Sequence, residues 1–128
     1  MAVSVLSLTN CPAGTATAAV PLPMKAQNFN GMGASILVNF SGVAGSGTSP
    51  ATGTVSVQVS NDPNANPSGP SLSPSQIASA RWNNHDTLKL LTTDQNSSII
   101  YPIAYVRLYA NAPVSGTVSA FIGIPDQL

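Results

Sequence analysis

The stretch that decides the fold runs from Ser97 to Ile124 and reads SSIIYPIAYVRLYANAPVSGTVSAFIGI. It contains two segments in which apolar side chains alternate with other side chains, and a turn separates them. Such alternation is typical of β-strands, because successive side chains of a strand point to opposite faces. The pattern predicts two strands, Ile103 to Ala110 and Gly116 to Ile124, each with one face in the core.

The rest of the chain is divided into short segments by eleven prolines and ten glycines, a spacing that disfavours long helices. Five more extended segments are predicted: Ala2 to Thr9, Thr15 to Val20, Ala34 to Ser41, Thr54 to Ser60 and Ile99 to Tyr101. Pro21 and Pro23 cannot donate ladder hydrogen bonds, so the second of these segments is expected at a sheet edge or outside the sheet.

Two predicted strands carry a specific expectation about their faces. In the first, Val3 and Val5 share one side and Leu6 and Leu8 the other, which predicts a bulge or burial on both sides near Val5. In Thr54 to Ser60, the alternation predicts that the three valines point inward, and that Ser56 and Gln58 point outward.

One helix signal stands between the strands. Ser73 can cap a helix, Pro74 suits its first position, and Gln76 completes a capping box. We predict a short helix from Pro74 to about Ala80. The following region, Arg81 to Thr93, is ambiguous, and its leucines at positions 88, 90 and 91 suggest a short strand.

About eight strands with at most one short helix predict an all-β fold, a single antiparallel β-sandwich domain spanning residues 1–128. A jelly roll is favoured and an immunoglobulin-like sandwich is second, since the Cys…Trp…Cys signature of immunoglobulin domains is absent. The pattern also allows an extended N-terminal arm.

The charge content is unusually low for a protein surface. Charged residues make up 6% of the chain, against about a quarter in typical proteins, and the formal net charge is zero. Lys25, Arg81, Lys89 and Arg107 are scattered, so neither nucleic-acid binding nor a membrane-binding basic patch is expected. A neutral surface rich in Ser, Thr, Asn and Gln suits permanent packing, which predicts a homo-oligomer, a trimer or a dimer.

Cellular location is addressed by two observations. The N-terminal segment lacks the positive residues of a signal peptide, and no apolar run approaches the ~20 residues that span a bilayer. We therefore expect synthesis and folding in a cytoplasm. Cys11 is the single cysteine, and we expect a half-buried, unreactive thiol.

The residues that could carry chemistry are few. His85 and Asp86 could form a base and its orienting partner, but adjacent residues of an extended segment point to opposite faces. Asn61, Asp62, Asn64 and Asn66 could offer oxygen ligands to calcium, but prolines interrupt any EF-hand-like spacing. We expect no catalytic residue, no metal and no cofactor, and hence no enzyme.

Two further residues have a structural and a functional interpretation. Trp82 could fill a space in the core or in an interface, or it could be a stacking platform for a sugar. We favour the core or interface role. Arg107 lies mid-strand between Tyr105 and Tyr109, where a covered guanidinium must find acceptors. We predict that Arg107 is structural and paired with Asp62 or Asp86.

The second half of the chain resembles small all-β virion proteins of tailed bacteriophages, encoded among head genes. The resemblance rests on a valine-rich strand ending in SNDP at Ser60 to Pro63, and on Trp82 followed closely by His85. It also rests on PIAYVRL from Pro102 to Leu108 and on SGTV from Ser115 to Val118. It implies a capsid decoration or cement protein.

The leading hypothesis is therefore a non-enzymatic virion protein, made in the host cytoplasm, that binds the major capsid protein or other virion proteins and stabilises the capsid. The alternatives are a tail, collar or fibre component, or a glycan-binding module displayed on the particle. We expect the termini or long loops, and not the sandwich faces, to make the contacts, the candidates being Ala2 to Thr9, Gly42 to Gly53 and Asn61 to Ser73.

Overall fold

The computed structural model describes residues 2–22, 34–40, 51–65, 78–99 and 103–124. In these residues the chain forms eight strands and one short 3-10 helix at Pro63–Ala65. The strands are β1 (Ala2–Cys11), β2 (Val20–Pro21), β3 (Ala34–Asn39), β4 (Val55–Ser60), β5 (Asn83–Asn84), β6 (Gln95–Ile99), β7 (Tyr105–Ala110) and β8 (Val114–Ile124).

The strands build two four-stranded sheets in which every pairing is antiparallel. Sheet A has the order β1-β8-β3-β6, and sheet B has the order β2-β7-β4-β5. The consecutive strands β7 and β8 lie in different sheets, so the chain crosses between the layers at residues 111–113. The all-β sandwich is confirmed, while the choice of a jelly roll over an immunoglobulin-like connection stays a prediction.

The core lies between the inner faces of the two sheets, where the alternating apolar residues meet. Sheet B contributes the three valines of β4 and the row Val106, Leu108 and Ala110 of β7. The core-facing residues from sheet A include Leu6, Leu8, Ile36, Val38, Val118, Ala120 and Ile122. Full burial of each large aliphatic side chain contributes about 1.5–3 kcal/mol, which makes this interlayer contact the main source of stability.

Strand β1 differs from its prediction. Residues Ala2 to Thr9 pair regularly with β8, so the bulge expected near Val5 is wrong, and the N-terminal segment belongs to the sheet. The irregularity lies between Thr9 and Cys11, where Asn10 adopts a φ of 42°. On β1, Leu6 and Leu8 are buried whereas the two valines are exposed, so apolar residues on both sides do not mean burial on both sides.

Strand β4 confirms its three inward valines, and Ser56, paired with the outward Tyr109, lies on the outer face as predicted but is buried there. Ser56 is 0% exposed, because a non-local segment covers it. Its Oγ accepts the N–H of Leu90 at 2.8 Å and donates to Oδ1 of Asn111 at 2.6 Å. The strand predicted around the leucines 88–91 is also wrong: residues 86–90 form bends, held to β4 by the Val57 N–H donating to the Leu88 carbonyl at 2.8 Å.

The remaining predictions fall at the limits of the described residues. Strand β6 covers Gln95–Ile99 and begins four residues before the predicted segment Ile99 to Tyr101, of which residues 100–101 lie outside the described part of the chain. The helix predicted from Pro74 to about Ala80 lies mainly outside it as well. Strand β2 occupies the edge position of sheet B, as its prolines predict.

Candidate functional site

The outer face of sheet B carries a stack of polar and aromatic side chains centred on Arg107. The alternation of β7 puts Tyr105, Arg107 and Tyr109 on this face, opposite the core-facing row. The Arg107 guanidinium carbon lies 4.3 Å from the ring centroid of Trp82 and 5.5 Å from that of Tyr109. A guanidinium is attracted by the faces of both rings, which fixes the otherwise flexible arginine side chain.

The cross-strand register supplies the hydrogen bonds of this stack. Arg107 on β7 is opposite Gln58 on β4, which in turn is opposite Asn84 on β5. Arg107 Nε donates to Gln58 Oε1 at 2.8 Å, and Gln58 Nε2 donates to Asn84 Oδ1 at 3.3 Å. Partial burial lowers the pKa of the Arg107 guanidinium, which stays protonated at neutral pH.

The predicted partner of Arg107 is wrong. Among the described residues, the acceptor of Arg107 is the neutral amide of Gln58, and neither Asp62 nor Asp86 forms an ion pair with it. Arg107 and Trp82 thus form one stacked unit, and the arginine covers one face of the indole that a sugar would need. Cation–π stacking and a neutral acceptor together replace the carboxylate that the sequence pattern suggested.

Asp62 instead closes the turn after β4. Its Oδ1 accepts the N–H of Asn64 and its Oδ2 accepts the N–H of Arg81, both at 2.9 Å. These backbone hydrogen bonds, first that of Asn64 and then that of Arg81, lower the pKa of Asp62 below its ordinary value of 3.8. Ser60 Oγ joins the same turn, accepting the Asp62 N–H at 2.9 Å and donating to the Arg81 carbonyl.

An open polar depression of about 600 Å³ surrounds this turn. Its lining includes Ser60, Asn61, Asp62, Pro63, Asn64 and Arg81. Two of the four side chains considered for calcium direct oxygens to the backbone here: Asp62 uses both carboxylate oxygens, and Asn61 Oδ1 accepts the Ala104 N–H at 2.7 Å. Asn66 lies outside the described residues. Within the described part of the chain, no three His, Cys, Asp or Glu side chains form a cluster able to hold a metal ion.

His85 is a structural crosslink between the two sheets. It is 3% exposed, and its Nδ1 accepts the N–H groups of Thr87 at 3.1 Å and Leu88 at 3.2 Å. Its Nε2 then carries the proton and donates to the Ser98 carbonyl of β6 at 2.8 Å. Both ring nitrogens are therefore engaged, and the adjacent Asp86 is exposed and does not orient the ring.

The outer face of sheet A has a different character, which the sequence pattern did not reveal. No Lys, Arg, His, Asp or Glu occurs in its four strands. Val3, Val5 and Leu37 are 59%, 53% and 40% exposed. The register places Val5, Phe121 and Leu37 side by side on three adjacent strands. We call these three residues the apolar row.

The surroundings of the apolar row are uncharged polar groups and a shallow hollow. Gly123 separates Val3 from Ser35, and the missing side chain contributes to a depression of about 370 Å³. Beyond the row, hydroxyl pairs continue across the strands, with Ser7 and Ser119 Oγ atoms 2.9 Å apart. One sequence signal for this surface was the pair of apolar sides in β1, and that signal did not tell which side is exposed.

Comparisons of this chain with protein-family models, with curated proteins and with solved structures find no match. Within the described residues, no helix has the length and apolar character that crossing a bilayer requires. Cys11 is half-buried and unpaired with another cysteine, as its sequence context predicts.

Proposed function

We propose that this protein is a non-enzymatic structural component of a bacteriophage particle that binds the capsid and stabilises it. The observation that carries the proposal is the uncharged outer face of sheet A, where Val5 and Leu37 of the apolar row are exposed and Phe121 is half-buried. The sequence resemblance to head decoration proteins supplies the identity of the assembly. The partner would be the major capsid protein or another virion protein.

The chemistry of sheet A favours adhesion to protein, so we propose this sandwich face as the contact. Of the segments expected from the sequence to make contacts, Ala2 to Thr9 lies in this sheet, and residues 42–50 and 66–73 lie outside the described part of the chain. Exposed valine and leucine side chains gain about 25 cal/mol for each Å² of apolar surface removed from water. The neighbouring hydroxyl pairs, such as Thr9 and Thr117 at 2.9 Å, can satisfy polar groups of a partner without the desolvation cost of a charge. Contacts of this kind are weak singly, and an oligomer that binds several sites of one particle at once strengthens them, because its subunits are linked.

Binding to purified capsids tests the proposal. We expect the protein to co-sediment with capsids in hundreds of copies per particle and to raise the temperature at which the particles break open. Leu37→Lys places a charge on the apolar row and should abolish binding. Asn83→Lys places the same charge on β5 in sheet B, where Asn83 is exposed, and should leave binding intact.

Three results would contradict this proposal. Equal binding of Leu37→Lys and Asn83→Lys to capsids would show that the outer face of sheet A is not the binding surface. A dozen copies or fewer per particle would indicate a tail, collar or fibre component instead. Recognition of sugars on a glycan array, lost in Trp82→Ala and retained in Leu37→Lys, would identify a glycan-binding module.

A further inference from the structure

Three of the four sheet edges are short strands: β2 and β5 of sheet B have two residues each, and β6 of sheet A has five. On sheet B, residues 14–22 line the outer side of β7, where the Gly14 N–H donates to the Ala110 carbonyl at 2.8 Å and the Thr17 N–H to the Leu108 carbonyl at 2.9 Å. At the opposite side of the same sheet, β5 and the bends that follow it line β4, with Val55 and Leu91 exchanging backbone hydrogen bonds of 3.0 and 2.7 Å.

The β6 edge of sheet A is short and partly covered. It has five residues, four of them polar, and the loop after β5 contacts it through two side chains. His85 donates to the Ser98 carbonyl at 2.8 Å, and the Thr87 hydroxyl donates to Ser97 Oγ at 3.0 Å. This edge therefore has the shortness and covering that protect natural sheets from edge-to-edge pairing.

Within the part of the chain that the structure describes, the β1 edge has none of these protections. It is ten residues long, contains no charged residue and no proline, and stays regular from Ala2 to Thr9. Among the described residues, its hydrogen-bonded neighbour lies on one side only, at β8. A long, uncharged and regular edge is a template for another strand.

We propose that β1 pairs antiparallel with β1 of a second copy of this chain, joining two copies of sheet A into one eight-stranded sheet. This inference rests on the proposed function, since it names the contact through which copies would assemble on a particle. The apolar row of Val5, Phe121 and Leu37 begins at this edge, so a second copy continues it without interruption. An uncharged strand also meets itself under a twofold axis without like-charge repulsion.

The alternation of β1 restricts the register of this pairing. Directly opposed residues must point to the same face of the joined sheet, so an exposed valine must face another outward residue. A twofold axis through Val5 meets this condition and uses the regular part of the strand. It sets Val5 against the same residue of the second copy, and Val3 against Ser7. An axis through Leu6 would reach the irregular Asn10 and would separate the valines.

Charge substitutions at Val5 test the pairing in solution. Wild type should sediment as a dimer at micromolar concentration. Val5→Lys and Val5→Asp each place like charges against one another, so each should weaken the dimer about tenfold or more. An equal mixture of the two variants should recover the dimer, because opposite charges then meet. Leu37→Lys lies two strands from the edge and should dimerise as wild type does. Circular dichroism checks that each variant is folded.

Disulfide trapping tests the register. In a Cys11→Ser background, Val5→Cys should give a crosslinked dimer on mild oxidation, since directly opposed side chains have Cβ atoms about 4.5–5.5 Å apart. Val3→Cys, equally exposed but opposed by Ser7, should crosslink at least tenfold more slowly. Equal rates at the two positions would overturn the register centred on Val5.

The remaining outcomes separate this inference from the proposed function. A wild-type monomer, a mixture that stays monomeric, or a dimer that Leu37→Lys disrupts as strongly as Val5→Lys would each overturn the edge pairing. A monomer that still binds capsids would leave the proposed function standing. A Val5-paired dimer that does not bind capsids would overturn the proposed function and keep the pairing.

Discussion

The guanidinium of Arg107 stacks on the indole of Trp82, with 4.3 Å between the guanidinium carbon and the ring centroid. The two residues are far apart in the sequence, and they meet because β7 directs Arg107 to the outer face of sheet B while Trp82 immediately precedes β5. Gln58, between them in the sheet, accepts the Arg107 Nε–H at 2.8 Å. The stack therefore ties three strands of sheet B together on the side away from the core.

Replacement of Arg107 tests the energy of this stack. We expect Arg107→Met to lower the free energy of unfolding by about 1.5–2 kcal/mol, from about 0.5–1 for the cation–π contact and about 1 for the hydrogen bond to Gln58. A double-mutant cycle with Trp82→Phe should give a coupling energy of about 0.5–1 kcal/mol in urea denaturation. A loss of 3–5 kcal/mol would be the signature of a stranded buried carboxylate and would contradict the neutral acceptor.

The buried imidazole of His85 gives a larger expected effect. His85→Ala removes the acceptor of the Thr87 and Leu88 N–H groups and the donor to the Ser98 carbonyl. Buried polar groups left without partners cost about 1–3 kcal/mol each, so we expect a loss of roughly 3 kcal/mol in denaturant unfolding. Asp86→Ala, at the exposed neighbour, serves as the control and should change stability by less than about 0.5 kcal/mol. Similar losses in both variants would contradict the crosslinking role of His85.

The alternation of side chains predicted most of the fold because it reports on the faces of single strands. It gave the buried rows of β4, β7 and β8, whose partners lie in the opposite sheet. It could not predict that Ser56 is buried, since the cover comes from Leu90 and Asn111, more than thirty residues away. Which face of a strand is covered by a distant loop is set by the tertiary structure.

The candidate site was harder to predict than the fold for the same reason. The flanking tyrosines indicated that Arg107 would need acceptors, and that requirement is met. The choice of acceptor depends on the register between β7 and β4, which puts Gln58 opposite Arg107 and leaves Asp62 beyond the end of the strand. The exposure of Val3 and Val5 likewise depends on which side of β1 faces sheet B. The sequence could not predict that side, because the valines and leucines of β1 are equally apolar.

The lowered pKa of Asp62 predicts a specific dependence of stability on pH. Hydrogen bonds from the Asn64 and Arg81 N–H groups keep this pKa below 3.8 in the folded protein. A carboxylate with a lower pKa folded than unfolded stabilises the fold above the unfolded pKa, and this contribution is lost as the pH falls through the folded pKa. We expect the melting temperature of wild type to fall more steeply below about pH 4 than that of Asp62→Asn.

A direct titration complements the melting experiment. The side-chain carboxyl carbon of Asp62, followed by NMR in the folded protein, should titrate with a midpoint below 3.8. Parallel melting curves for wild type and Asp62→Asn from about pH 6 to about pH 2 would show that the two backbone hydrogen bonds do not favour the ionised form.

Two glycines with nearly the same backbone conformation allow steric crowding to be separated from backbone strain. Gly14 and Gly116 have φ values of 89° and 88°, a region that costs a residue with a side chain about 1–2 kcal/mol. A Cβ on Gly14 would meet no atom within 4 Å, whereas a Cβ on Gly116 would lie 3.1 Å from the backbone Cα of Ala51.

We expect Gly14→Ala to cost about 1 kcal/mol and Gly116→Ala to cost about 1–3 kcal/mol more, both measured by urea denaturation. The extra cost arises because residues 51–52 are fixed to β8 by the paired hydrogen bonds of Thr52 and Ser115, each 2.9 Å, so Ala51 cannot easily move away. Equal costs at the two glycines would mean that this contact yields freely, and that the conformation of the backbone alone decides the need for glycine.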